Sequence, residues 1–88
     1  MDVFYIFTFD STQQAMRCEK ELKAEGFTVR IIPTPREITA SCGLSLRFEK
    51  QDQAVIQQKV DEQGLEILGV YRVEKEGLKK KVFPVEKE

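Results

Sequence analysis

The chain has 88 residues, 41% of them hydrophobic and 33% charged, with a formal net charge of −1. That is room for one domain around one core, in a globular rather than disordered or membrane-embedded balance. A charge so close to zero argues against an electrostatic nucleic-acid binder, which ordinarily carries a basic stripe.

There is no histidine, which removes Cys-His nucleophile pairs, Ser-His-Asp triads and most zinc sites. The opening MDVFYIFTFD is apolar but far too short to span a bilayer. It starts on Asp2 rather than a basic segment and lacks a cleavage site, so the expected location is cytoplasmic, with no membrane partner. In that compartment Cys18 and Cys42 stay reduced, which disfavours a disulfide between them.

Residues 3–9, VFYIFTF, are β-branched and aromatic, with Val3, Tyr5, Phe7 and Phe9 on one side and Phe4 and Ile6 on the other. A strand apolar on both faces belongs inside a sheet. Ser11 followed by Gln14 is a capping-box pattern opening a helix. Ala15, Cys18 and Leu22 then recur at helical spacing, and Gly26 closes the helix with Phe27 packing back on Leu22. Phe27 to Ile32 reads as a second strand and Leu44 to Phe48 as a half-buried third. Asp52 is positioned to cap a second helix carrying Ile56 and Val60, ended by Gly64. Glu66 to Val73 reads as a fourth strand with Ile67, Tyr71 and Val73 in phase.

The order βαββαβ predicts an α+β, ferredoxin-like two-layer sandwich: a four-stranded antiparallel sheet of order 4-1-3-2 with two helices on one face. The domain is expected over residues 1–73, leaving 74–88 as a charged C-terminal tail. One sheet face then lacks helices, so Phe4 and Ile6 need a cover, either the tail's VFPV or a second copy in a homodimer.

The stretch Pro33–Gly43, PTPREITASCG, is longer than the two to five residues of an ordinary hairpin loop. Pro33 and Pro35 pre-set φ, Arg36 is a permanent cation, Gly43 allows close backbone approach, and Cys42 is the only strong nucleophile in the loop. The topology puts Cys42 near Asp10, Ser11 and Thr12. There the helix N-terminus and Arg36 favour a thiolate, while Asp10 works against one. The plainer reading is that Cys42 is a small buried apolar residue at a strand start. Cys18, on the apolar stripe of the first helix, is read as core.

The run IIPTPREITASCGLSLRF, followed by a helix and GLEILGVY, resembles the selenium/sulfur carrier-like family of short bacterial proteins. The likeness covers Phe4 to about Val73 and falls on Pro33, Pro35, Arg36, Ser41, Cys42 and Gly43. Thr39 and Ala40 stand where serines are expected. The resemblance implies a carrier rather than a turnover enzyme, with Cys42 holding sulfur or selenium as a persulfide or selenopersulfide. It implies a cysteine desulfurase-like donor and a selenophosphate-making or other thiol acceptor enzyme; from the residues themselves, no cofactor or metal is expected. Two alternatives stand beside it. One is a small-ligand, anion-binding or regulatory module; the other is a subunit that dimerises through the sheet face around Phe4 and Ile6. With no C-x-x-C, a metal chaperone is disfavoured.

Overall fold

A computed structural model describes residues 1–39 and 42–85. The elements run β1 (Asp2–Thr8), α1 (Thr12–Ala24), β2 (Val29–Pro33), β3 (Leu44–Glu49), a 3₁₀ turn (Lys50–Asp52), α2 (Gln53–Gln63), β4 (Gly69–Glu76) and β5 (Lys79–Pro84). β1 is the organising strand because both its faces are apolar. It pairs antiparallel with β3 on one side and β4 on the other, and the sheet runs β2-β3-β1-β4-β5.

Five strands correct the expected four-stranded sheet of order 4-1-3-2. The additional strand comes from the lysine-rich residues read as a tail, which pair antiparallel with β4 from Tyr71↔Pro84 to Glu76↔Lys79. Gly77 makes the turn possible. With φ of +59° it occupies the first central position of a two-residue hairpin, where a left-handed residue is needed.

Two further expectations are corrected. β4 begins at Gly69 rather than Glu66, so Ile67 precedes it and packs with the helix-side core, whereas Tyr71 and Val73 pack on the opposite face. Asp52 has helical backbone angles and makes no side-chain cap bond; α2 is entered through the 3₁₀ turn instead.

Both helices cover one face. Ala15, Cys18 and Leu22 of α1 and Ile56 and Val60 of α2 pack on Phe7, Phe9, Leu46 and Phe48, all buried. Phe48 anchors this layer, its ring 4.6 Å from Phe7 and 5.9 Å from Tyr5 between centroids. Such aromatic pairs are worth roughly 0.5–1.5 kcal/mol beyond their buried area. Local signals set the helix ends. Ser11 Oγ accepts from the Gln14 N–H at 3.2 Å, and Gln14 Oε1 accepts from the Asp10 N–H at 3.1 Å. At the other end, Gly26 has a φ of +90° and the Phe27 N–H donates to Leu22 O, so the six-residue bond of a glycine-terminated helix is made.

The helix-free face is covered by the chain itself. Ile38, from the long β2–β3 connection, packs with Phe4, Ile6 and Val73, while the Arg47 guanidinium lies 3.9 Å from the centroid of the Phe4 ring. Val82 of β5 packs at the edge of this cluster. Phe4 and Ile6 are therefore buried without a second copy.

Candidate functional site

The connection between β2 and β3, residues 34–43, is organised by Thr34. Its N–H donates to Gly43 O at 2.9 Å, its Oγ1 donates to Cys42 O at 3.3 Å, and its Oγ1 lies 2.7 Å from Ser45 Oγ. These bonds clamp the start of the connection to its end and satisfy Ser45, which is fully buried. Pro35 O accepts from the Ile38 N–H at 3.0 Å, closing a turn that carries Arg36 and Glu37 outward and returns Ile38 to the sheet. Lys80 of β5 pairs with Glu37 at 3.4 Å and ties the fifth strand to this turn.

Cys42 sits at the far end of the connection, 5% exposed, packed in the helix-side core. Its Sγ accepts from the Leu44 N–H at 3.4 Å and lies 3.7 Å from Thr12 Oγ1, where either atom can donate. Thr12 is the first residue of α1, so the sulfur stands against the opening turn of that helix, as the topology suggested. Cys18 has a different environment. It is 1% exposed on α1, and burial pushes its thiol up from 9.0 to about 12. Both cysteines are free.

The other residues singled out in the sequence do not all gather at the sulfur. Pro33 is exposed and closes β2, paired with Leu44, and Pro35 is buried. Gly43 is exposed with a clear surround: a Cβ there meets nothing within 4 Å. Arg36 is exposed and lines a groove on the helix-free face with Pro35, Arg30 and Arg47, while the sulfur's hydrogen-bond partners are Thr12 and Leu44. Ser41 lies outside the described residues. Sequence reasoning missed Thr34. Its place between two prolines was a signal, since a hydroxyl there has few backbone neighbours to bond except across the loop.

Among the described residues there is no group of three or more His, Cys, Asp and Glu placed to hold a metal, and no helix long and apolar enough to cross a membrane. What the site offers is one thiol, one backbone N–H donating to it, a hydroxyl beside it, and a hydroxyl clamp that fixes the backbone around it.

Comparison with known proteins returns one family. The model described as "Putative Se/S carrier protein-like" matches residues 4–72, from β1 into β4 and including the whole Pro33–Gly43 connection. No curated protein and no solved structure matches the chain. With the match extending over well more than half of its 88 residues, the chain belongs to the Se/S carrier protein-like family.

Proposed function

We propose that the protein carries sulfur or selenium on Cys42 as a persulfide or selenopersulfide and passes it between enzymes. The observation that carries this reading is the setting of the Cys42 sulfur, held by the Leu44 N–H and against Thr12 at the start of α1, in a chain of a family named for such carriers. The Leu44 N–H, a hydroxyl free to donate once the sulfur is ionised, and the positive end of a helix steady the negative charge that a thiolate or a terminal persulfide bears.

The transfer balances without a cofactor. The Cys42 thiolate attacks the outer sulfur of a donor persulfide, a new S–S bond forms on Cys42, and the donor's S–S bond breaks with the electron pair leaving on the donor thiol. An acceptor thiolate then attacks the outer sulfur and returns Cys42 as a thiolate. The selenium version is the same exchange with selenium as the outer atom. At 5% exposure the sulfur must come out of its packing to meet a donor, so loading includes a local opening beside Thr12. A cysteine desulfurase-like enzyme suits the donor role, and a selenophosphate-making or other thiol enzyme the acceptor role.

The test is intact mass after incubating the reduced protein with a persulfide donor. The expected result is a sulfur adduct on the wild type and on Cys18→Ser, lost with Cys42→Ser. An adduct that persists in Cys42→Ser overturns the assignment.

A further inference from the structure

The helix-free face carries a second feature that the thiol chemistry does not use. An open groove of about 420 Å³ crosses the sheet, and Arg30, Arg36, Arg47, Lys75 and Lys80 line it over the buried side chains of Phe4 and Val73. Among the described residues no carboxylate lines it. Acids stand at its margins: Asp2 on Arg47 at 3.4 Å, Glu37 on Lys80 at 3.4 Å, and Glu49, opposite Phe4 on β3, which lines an adjoining pocket with Arg30 and Arg47. Arg30, Arg36 and Lys75 make no ion pair among the described residues.

The register makes this concentration of cations more telling. Arg30 lies directly opposite Arg47 across β2 and β3, and Lys75 directly opposite Lys80 across β4 and β5. Like charges directly opposite one another in a sheet repel. Two such pairs on one face, in a chain whose net charge is −1, segregate positive charge onto this groove. The pairs stand on opposite sides of β1, and the sheet between β2 and β5 is about 19 Å wide at the usual strand spacing. A single small anion reaches one pair, whereas an extended segment with carboxylates along its length reaches both.

We infer that this groove docks an acidic, extended segment of a partner protein. Charge complementarity sets the chemistry and the separation of the two cation pairs sets the length. A nucleic acid fits less well, because Phe4 is 4% exposed under Arg47 and offers no face for a base to stack on. The turn bearing Arg36 belongs to the connection that ends at Cys42, so a segment seated here lies against the loop that holds the thiol. The inference does not depend on what the thiol carries.

The test is a titration of the full-length, reduced, ¹⁵N-labelled protein with a hexaglutamate peptide, followed by NMR. The expected result is that the amides of Arg30, Arg47, Lys75 and Lys80 shift, that binding weakens as salt is raised, and that Arg30→Glu with Lys75→Glu weakens it at least tenfold. Both substituted residues are exposed, and the wild-type shift map stands on its own if the variant is unfolded. No shifts at millimolar peptide, or shifts confined to the helical face, overturn the proposal. So does sulfate at equal charge producing the same shifts with the same affinity, which marks a small-anion site. A six-nucleotide RNA that binds tighter than the peptide overturns it in favour of nucleic acid.

Discussion

The two faces of the sheet are finished by different chemistry. On one, two helices close a layer of aromatic and aliphatic side chains that includes both thiols. On the other, Ile38 from a loop, the Arg47 guanidinium and the partly buried Ile32, Tyr71 and Val82 complete a small apolar cluster, and cations crowd the surface. One connection serves both, sending Ile38 to the thin face and Cys42 to the thick one. A stable core and an exposed recognition surface thus share β1, with Phe7 facing one and Phe4 the other.

The contrast predicts unequal costs. Phe7 is fully buried between the helices and Phe48, so Phe7→Ala is expected to lose about 3–5 kcal/mol in urea unfolding. Ile38 is 9% exposed and packs in a small cluster, so Ile38→Ala is expected near the low end for such truncations, about 2 kcal/mol. Equal losses would mean that the helix-free face is a core in its own right, and the comparison would fail.

The thick face itself holds two dissimilar thiols. Cys18 is neutral at ordinary pH because burial raises it to about 12 from 9.0. Its folded-state value lies above its unfolded one, so its contribution to stability is whole below pH 9 and is lost as pH rises through about 12. Within that window the unfolded chain binds fewer protons, and the slope approaches about 1.4 kcal/mol per pH unit for one proton. Urea unfolding from pH 8 to 11 should show this fall, and Cys18→Ala should flatten it. At pH 8 only about 10⁻⁴ of Cys18 is ionised, so iodoacetamide should label Cys42 first. Labelling of Cys18 first would reverse the roles assigned to the two cysteines.

How much of this was legible in the sequence follows from the range over which each signal acts. Ser11 with Gln14, and Gly26 with Phe27, are rules of a few residues, and the helix they bracket is found where they place it. The two-faced pattern of β1 likewise marks a central strand. β5 was hidden because KKKVFP has no apolar alternation of its own. Its support is cross-strand, with Glu74 opposite Lys81 and Glu76 opposite Lys79, and that complementarity appears only once the register is known. The Gly77 turn was the available clue. At the site, the nearness of Cys42 to Thr12 followed from strand directions. The position of Arg36 did not, because the Pro35–Ile38 turn rotates it onto the other face, and strand directions do not determine the path of a ten-residue loop.

The smallest expected effect is also the most discriminating for the thin face. Arg30→Glu turns a like-charge pair with Arg47 into an attractive one, and cross-strand pairs of this kind shift stability by about 0.2–1 kcal/mol. Arg30 is exposed, so the gain should be small and should shrink as salt is added. Lys75 is a poorer probe, because its cross-strand neighbours are Lys80 on one side and Asp2 on the other, and their effects oppose. The expected outcome for Arg30→Glu is a higher urea midpoint at low salt together with weaker hexaglutamate binding. Stability and binding moving in opposite directions is the signature of a charge arrangement kept for recognition at some expense to the fold. If Arg30→Glu lowers both, Arg30 supports the sheet directly, and the cations of this face are explained by structure alone.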